Sequence, residues 1–318
     1  MLVVVAACRD TIVSMNRASA TASLFHALSD EPVLGQSLGN VTVLRLDRLG
    51  GVAPGNKRFK LQPYLQRASE SGVHRILSFG GAWSNHLHAL AAAGAEQGFE
   101  TVGFVRGGEI ETPTLADVRR WGMRLVPLSR SDYRRRHEAG FQGTLLEKHG
   151  PGLLVPEGGG DSEGVLGCLD IAQLVNSTGT PWPLVVVPVG TGTTLAGLVA
   201  GLASGTRVLG ISALRNAHDL EGRVVEVLEH AGRQAAVPWQ IEHAFHCGGF
   251  ARVSSELQRF ILDFEARHGL PLEPVYTGKM FLAVHQLLAD GRIDAGEPIL
   301  LVHTGGLQGR RGYPWLGT

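Results

Sequence analysis

Short β-branched runs alternate with helical segments along this chain, and this alternation constrains the fold more than any other feature of the sequence. Such an alternation is typical of a parallel sheet covered by helices, so the sequence predicts an α/β fold. The predicted strands are Val41–Leu46, Arg75–Phe79, Thr101–Val105, Arg124–Pro127, Leu184–Val189, Arg207–Ile211 and Ile299–His303. The predicted helices are Arg58–Ser71, Asn85–Gln97, Thr114–Trp121, Ser162–Val175, Thr193–Leu202, Arg252–Arg267 and Lys279–Ala289.

Glycine is abundant, with 43 residues in 318, and it concentrates just after the predicted strands. Glycine lets a backbone turn tightly and approach a ligand closely. In open α/β sheets, ligands bind beyond the carboxyl ends of the strands. We therefore expect the functional site among these strand-end loops.

The composition is that of a globular protein, with 44% hydrophobic residues, 18% charged residues and a formal net charge of +0. The segment Met1–Cys8 is apolar but too short for a secretory signal, and it is predicted to form a first strand. No apolar stretch approaches the roughly 18 residues of a membrane span. The densest basic cluster, Arg134–Arg136, is interpreted as a solvated helix face. We therefore expect neither a nucleic-acid partner nor a membrane partner.

The three cysteines, Cys8, Cys168 and Cys247, lie far apart in the sequence. An odd number argues against a disulfide framework, and the spacing matches no metal-binding pattern. We therefore expect a cytoplasmic protein without a metal site.

Lysine is scarce in this chain, and arginine supplies most of the positive charge. The lysines are Lys57, Lys60, Lys148 and Lys279. Lys57 follows a turn-forming Gly55-Asn56 pair. Arginine stays protonated, whereas a desolvated lysine loses its proton and attacks a carbonyl carbon. Lys57 is therefore predicted to react with an aldehyde cofactor.

A glycine- and threonine-rich loop follows the most apolar predicted strand and precedes a helix. The loop consists of Gly190, Thr191, Gly192, Thr193 and Thr194. Free N–H groups at a helix start, together with hydroxyl groups, would hold the oxygens of a monoester phosphate. A plain turn without a ligand is the structural alternative. A dinucleotide fits less well, because the third glycine is displaced to Gly197 and the next strand ends without an acidic residue.

A second strand-to-helix junction carries Ser84, Asn85 and His86 after a pair of glycines. Ser84 is a good N-cap residue, and a purely structural capping role is therefore the alternative to a functional one. Its functional interpretation is that Ser84 and nearby N–H groups bind a carboxylate at the helix start. Asn85 could donate to a phenolate-type oxygen. His86 and His88 are ambiguous, since either could be a local hydrogen-bonding residue.

Two further strand-end clusters lie near the C-terminus, and alone each is a weak signal. Glu273–Lys279 precedes a helix, and His303-Thr304-Gly305-Gly306 ends a strand. Tyr276 could belong to the core, and Lys279 could be solvated.

Taken together, five segments resemble the pyridoxal-phosphate enzymes of the tryptophan-synthase-β fold type, in the branch of D-cysteine desulfhydrase and 1-aminocyclopropane-1-carboxylate deaminase. The resemblance runs from about Val41 to the end of the chain. The matching segments are Gly55-Asn56-Lys57 with Lys60-Leu61, Gly80-Gly81-Ala82-Trp83-Ser84-Asn85-His86, Gly190–Thr194, Tyr276-Thr277-Gly278-Lys279 and His303-Thr304-Gly305-Gly306.

The resemblance implies roles for these positions. Lys57 forms the covalent bond with the aldehyde of pyridoxal 5′-phosphate, the loop Gly190–Thr194 holds the phosphate, and Asn85 contacts the 3′-oxygen. Ser84 lies at the substrate carboxylate and is catalytic together with Lys57 and Tyr276. The implied groups at the pyridine nitrogen are Thr277 and Thr304, and the implied substrate-binding residues are Ser84, Asn85 and His86.

The resemblance also implies the architecture, which is two domains with the cofactor in the cleft between them. Each domain is a mainly parallel twisted sheet flanked by helices. The larger domain would comprise residues 1–60 and 158–318, and the smaller domain residues 61–157. A small amino acid is the implied substrate, and a homodimer is the implied assembly.

The predicted reaction depends on the group that faces the pyridine nitrogen. The deaminase pattern has glutamate and leucine where this chain has Thr277 and Thr304, and a neutral hydroxyl makes a weaker electron sink than a carboxylate. We therefore predict a D-cysteine desulfhydrase-like β-elimination that yields a 2-oxo acid, ammonia and the leaving group. The alternatives are 1-aminocyclopropane-1-carboxylate deaminase activity and a cofactor-binding protein with lost or altered activity. Phe250 stands where many relatives have tyrosine, so the substrate could differ from D-cysteine.

Overall fold

The structure is a computed structural model that describes residues 21–107 and 110–317, and the predicted strand Met1–Cys8 lies outside them. The strands are β1 (Phe25–Ala27), β2 (Val41–Arg45), β3 (Arg75–Gly80), β4 (Glu100–Arg106), β5 (Arg124–Leu128), β6 (Leu153–Val155), β7 (Leu184–Val189), β8 (Arg207–Ser212), β9 (Trp239–Glu242) and β10 (Ile299–His303). The helices are α1 (Asn56–Glu70), α2 (Asn85–Gln97), α3 (Pro113–Arg120), α4 (Arg130–Arg134), α5 (Ala139–His149), α6 (Ser162–Asn176), α7 (Thr193–Gly201), α8 (Leu220–His230), α9 (Ser255–His268) and α10 (Thr277–Ala289). Short 3₁₀ turns cover Leu46–Arg48, Glu157–Gly159, Leu307–Gly312 and Pro314–Leu316.

The strands form two separate sheets, which confirms the predicted α/β class. The first sheet has six strands in the order β1-β2-β10-β7-β8-β9, and only β1 runs antiparallel to its neighbour. The second sheet has four strands in the order β5-β4-β3-β6, and all of its pairs are parallel. In a parallel sheet the carboxyl ends of neighbouring strands share one edge, so the loops that follow them lie together.

Strand β7 shows why the first sheet is covered on both faces, since every one of its residues is buried. Successive side chains of a strand point to opposite faces. Accordingly, Val185 and Val187 pack with the helices α6, α7 and α8, while Leu184 and Val186 pack with α9 and α10. A continuous β-branched run therefore marks a strand that lies between two layers of helices.

The second sheet is smaller and has its own two apolar clusters. One cluster lies between the sheet and the helices α1, α2 and α3. The other covers the opposite face and includes Phe79, Phe104 and Tyr133. The helix α1 also packs closely against α6, so it connects the two sheets. The domain boundary at residues 60 and 61 stays a prediction, and α1 continues through it.

The predicted strands and helices are confirmed within a few residues, and the structure adds elements that the sequence did not indicate. These are β1, β9, α4, α5 and α8, while β6 coincides with the strand-like run Leu153-Leu154-Val155. Arg134 and Arg135 are exposed, as predicted for the solvated face Arg134–Arg136, whereas Arg136 is partly buried and its guanidinium pairs with Glu157 at 2.7 Å. No helix within the described ranges is long and apolar enough to cross a bilayer.

Candidate active site

Lys57 lies in the first turn of α1, and the chain around Gly55 fixes this turn in place. Gly55 forms an antiparallel bridge with Gly305, and the Asn56 backbone N–H donates to the Thr304 carbonyl at 3.1 Å. The φ of Gly55 is 125°, and a Cβ at that position would lie 2.5 Å from the Thr304 oxygen. Only glycine fits there, so the Gly55-Asn56 turn carries Lys57 against the end of β10.

The Lys57 amine lies beside a second glycine-rich turn, where its Nζ donates to the Gly158 carbonyl at 3.1 Å. Burial, together with the nearby Lys60 ammonium, lowers the pKa of Lys57 well below its usual value. A lysine with a lowered pKa has a larger fraction of neutral, nucleophilic amine near neutral pH. The environment of Lys57 therefore suits attack on an aldehyde carbon.

The loop after β7 has the geometry of an anion seat. Gly192, at φ 87°, is the N-cap of α7, and it directs the first N–H groups of that helix toward the loop. Thr193 and Thr194 are buried, and the Asn56 side chain donates to the Thr194 hydroxyl at 2.9 Å. The seat therefore combines a helix start with several fixed hydroxyl groups, as an anion requires.

Lys60 adds a positive charge to the anion seat. The sequence did not indicate this role, although Lys60 is one of only four lysines. It lies one helical turn after Lys57 and is buried, and its Nζ is 3.1 Å from the Thr191 hydroxyl. The Thr191 hydroxyl also lies 3.0 Å from the Thr193 hydroxyl. No carboxylate among the described residues lies within ion-pair distance of Lys60, and burial lowers its pKa although Asp161 acts in the opposite direction. A phosphate dianion in this loop would supply the missing counter-charge.

Ser84 is the N-cap of α2, since its Oγ accepts from the Leu87 backbone N–H at 3.2 Å. This contact is the purely structural role that was the alternative to carboxylate binding. Asn85 follows it and is held by the C-terminal segment. The Asn85 Oδ1 accepts from Gln308 Nε2 at 2.6 Å. This contact leaves the Asn85 Nδ2 without a hydrogen-bond partner among the residues that the structure describes, which matches a role toward a phenolate oxygen. No motif or spacing in the sequence indicated a role for Gln308.

His86 is buried beneath the site, and its hydrogen bonds define its tautomer. The Ser78 hydroxyl donates to the Val155 carbonyl at 2.8 Å, so it accepts from the His86 Nε2–H at 2.8 Å. The His86 Nδ1 then carries a lone pair, and it has no partner among the described residues. Burial, with the charges of Lys57 and Lys60, lowers the pKa of His86 well below its usual value. The substrate-binding role of His86 stays a prediction.

Tyr276 and Thr277 lie at the start of α10, where a buried carboxylate holds the backbone. Glu273 accepts from the backbone N–H groups of Tyr276 and Thr277 at 2.7 and 2.6 Å. The Thr277 hydroxyl is bonded within the same turn, accepting from the Glu273 N–H at 2.9 Å. The Tyr276 ring lies against Gly190, where a Cβ would approach it to 3.0 Å. Tyr276 therefore borders the anion seat, whereas Thr277 is committed to local structure and its role toward a ring nitrogen stays a prediction.

These placements gather most of the candidate residues around one cleft. The turn that carries Lys57 contacts the loop Gly190–Thr194 and the Thr304 carbonyl, and Tyr276 lies against Gly190 at the start of that loop. Asn85 reaches the same region through Gly306, since a Cβ there would lie 2.6 Å from its Nδ2. The donor set fits a phosphate-bearing aldehyde, because it provides a low-pKa amine, an anion seat with a buried cation, and a free amide donor.

Comparisons with known proteins agree with this fit. The family described as pyridoxal-phosphate dependent enzyme matches residues 28–305. A Pyrococcus furiosus protein, provisionally named 1-aminocyclopropane-1-carboxylate deaminase, is 29% identical over 89% of each chain. The D-cysteine desulfhydrase of Serratia proteamaculans is 26% identical over 86% of this chain and 88% of its own length. The crystal structure of a homologue of the deaminase superposes with a TM-score of 0.77 at 23% identity, covering 95% of this chain and 99% of the other.

Proposed function

This chain belongs to the family of pyridoxal-phosphate-dependent enzymes, and we propose that it is a lyase that eliminates the β-substituent of a small amino acid, as D-cysteine desulfhydrase does. The substrate loses its α-proton and its β-substituent, which leaves with the electron pair of its bond to carbon. Addition of one water then gives a 2-oxo acid and ammonia. The observation that supports this proposal most is the low-pKa Lys57 amine next to the Gly190–Thr194 seat.

The residues around the cleft would bind the cofactor in a fixed orientation. When bound, pyridoxal phosphate supplies an aldehyde that reacts with amines and a ring that accepts an electron pair from the substrate's α-carbon. The Gly190–Thr194 loop and the Lys60 ammonium would hold the phosphate. The Asn85 Nδ2 would donate to the 3′-oxygen, held in that orientation by Gln308.

We assign the proton transfer and the binding of the substrate to Lys57, Ser84 and Tyr276. The Lys57 Nζ, once released from the cofactor, would take the α-proton as a general base. The helix start at Ser84 would hold the substrate carboxylate through the dipole and free N–H groups of α2. The Tyr276 hydroxyl would orient the substrate, and burial raises its pKa, so it would act in the protonated form.

The deaminase reaction is the second candidate, because the Pyrococcus furiosus relative is provisionally named for it. Its pattern has a carboxylate at the position of Thr277. The carboxylate nearest to that position in the sequence, Glu273, is not free to replace it, since its oxygens accept from three backbone N–H groups. With Glu273 bonded to the backbone, the position of Thr277 offers a hydroxyl in place of a carboxylate, and this favours β-elimination, which demands a weaker electron sink than the opening of a cyclopropane ring.

The proposal is tested with purified protein and three substrates: D-cysteine, L-cysteine and 1-aminocyclopropane-1-carboxylate. We expect sulfide and pyruvate from a cysteine and little 2-oxobutanoate from the cyclopropane. Lys57→Ala should abolish turnover and change the absorbance of the bound cofactor. Turnover retained by Lys57→Ala would refute the role of Lys57, and faster formation of 2-oxobutanoate would select the deaminase.

We also propose a cytoplasmic homodimer with domains at 1–60 plus 158–318 and at 61–157. The free thiols of Cys168 and Cys247 support a reducing compartment. The separate four-stranded sheet, built from residues 75–155, supports the smaller domain. Sedimentation equilibrium measures the assembly, and limited proteolysis tests the boundaries. A monomer at micromolar concentration, or cleavage only inside the sheets, would contradict these assignments.

A further inference from the structure

Phe250 is a large apolar side chain that the fold leaves uncovered next to the site. Its side chain is 54% exposed, and its ring lies 6.1 Å from the Tyr276 ring in an edge-on arrangement at 65°. Tyr276 in turn contacts Gly190 of the anion seat. Tyr276 therefore links the exposed Phe250 to Gly190 of the anion seat.

The loop that carries Phe250 is held in a fixed and locally strained conformation. Cys247 and Ala251 have φ values of 51° and 56°, which are unfavourable for residues other than glycine. Between them, Gly248 and Gly249 have φ values of 94° and 117°. Four of the five residues in this loop therefore have positive φ. Without contacts from outside, the loop would adopt a less strained conformation.

Two contacts from outside supply the support for this loop, which comprises residues 247–251. Lys279 is fully buried, and its Nζ donates to the Gly249 carbonyl at 2.7 Å and to the Ala213 carbonyl at 3.3 Å. A buried ammonium is costly unless its N–H groups are hydrogen-bonded, and the Gly249 and Ala213 carbonyls supply such bonds, so Lys279 anchors the loop. On the other side, the Tyr313 hydroxyl donates to the Ala251 carbonyl at 3.3 Å.

We propose that Phe250 is a specificity-determining residue that lines an apolar subsite for the substrate's side chain. The anchored backbone keeps Phe250 beside Tyr276, and an apolar ligand group that covered the exposed face of the ring would remove it from water, which is favourable. Phe250 also has no hydroxyl with which to bind a polar group. The preferred substrate is therefore an amino acid with an apolar β-substituent, such as an alkyl or aryl thioether, rather than one with a free thiol or hydroxyl. This inference rests on the proposed β-elimination for its substrate class.

Binding of amino acids that lack a leaving group tests the subsite without turnover. The cofactor-loaded protein is titrated with alanine and with phenylalanine, each as both enantiomers, and binding is followed by the cofactor absorbance. We expect phenylalanine to bind about 10-fold more tightly than alanine, because its side chain and the exposed part of the Phe250 ring would cover each other and leave water. Phe250→Ala should reduce this ratio about 5-fold. Equal affinities in the wild type, no binding of either amino acid, or an unchanged ratio in the variant would overturn the proposal.

Two further variants separate the subsite from general effects. Phe250→Tyr keeps the ring and adds a hydroxyl, so we expect it to shift kcat/KM from S-benzyl-cysteine toward cysteine. Leu262→Ala is the control, since Leu262 is also exposed (44%) but lies on α9. It should leave every ratio unchanged, and a shift equal to that of Phe250→Ala would overturn the proposal. If phenylalanine is preferred but no cysteine derivative is cleaved, the subsite stands and the proposed β-elimination fails.

Discussion

Replacing Lys60 with methionine directly tests whether the anion seat binds the phosphate of the cofactor. The structure predicts a loss of cofactor affinity but a gain in the stability of the cofactor-free protein. Lys60 is 2% exposed, and its Nζ lies 3.1 Å from the Thr191 hydroxyl. Methionine keeps a flexible apolar stem of similar length and removes the charge. We expect Lys60→Met to weaken the binding of pyridoxal phosphate and to stabilise the cofactor-free protein.

The loss of affinity follows from the removal of one charge-assisted hydrogen bond in a buried site. Such a bond contributes about 1.5–3 kcal/mol. Since each 1.4 kcal/mol is about tenfold in affinity, Kd for pyridoxal phosphate should rise about 10- to 100-fold. The gain in stability follows from the removal of a buried ammonium that has no ion-pair partner among the described residues. We expect a gain of about 1–3 kcal/mol in the free energy of unfolding of the cofactor-free protein.

The assay compares pyridoxal phosphate with pyridoxal, which lacks the phosphate, in absorbance titrations of the cofactor-free protein. Thermal unfolding of the same protein measures the change in stability. Lys148→Met is the matched control, since Lys148 is an exposed lysine at the end of α5. Pyridoxal affinity should be nearly unchanged by Lys60→Met. An equal loss for both ligands, or a lower unfolding midpoint without cofactor, would refute the assignment of Lys60 to the phosphate.

Three other substitutions test the supports of the site. Gln308→Leu should free the Asn85 amide to rotate and weaken pyridoxal phosphate about 3- to 10-fold in absorbance titrations; an unchanged Kd and spectrum would show that Gln308 does not orient Asn85. Burial lowers the pKa of Lys279 from 10.5 to about 8, so the unfolded chain binds more protons between these values and stability should rise with pH there. Urea unfolding at pH 8 and 10 should show this rise in the wild type and a smaller one in Lys279→Met, and parallel slopes would contradict it. Gly55→Ala should lower stability by about 2–4 kcal/mol and impair cofactor binding, whereas Gly72→Ala, with positive φ but nothing within 4 Å, should cost about 1 kcal/mol. Equal losses in thermal unfolding would show that the contact opposite Gly55 has no effect.

The elements that the sequence predicted are those whose signals are local. The β7 run is apolar and β-branched because both of its faces are buried, and that cause is visible in a single segment. The position of Lys57 was also predicted from its own turn, since Gly55 has a conformation that only glycine adopts readily. By contrast, β9 is short and partly exposed, so neither alternation nor a continuous apolar run marked it.

The site residues that were missed depend on contacts between distant parts of the chain. Lys60 meets Thr191 across 131 positions, and Gln308 meets Asn85 across 223 positions. No spacing pattern in a single sequence predicts such pairs. The ambiguity of His86 had the same origin, because its tautomer depends on a Ser78 hydroxyl whose own bond goes to another strand.

The bridge between Gly55 and Gly305 has a consequence for how the protein is made. The bridge joins the start of α1 to the loop that follows β10. The turn that carries Lys57 therefore cannot reach its final conformation until Gly305 has left the ribosome. Contacts of such long sequence separation form late and slowly. In a nascent chain, Lys57 should therefore be exposed to solvent and have the usual pKa of a lysine. The low-pKa, nucleophilic amine would arise only at the end of folding.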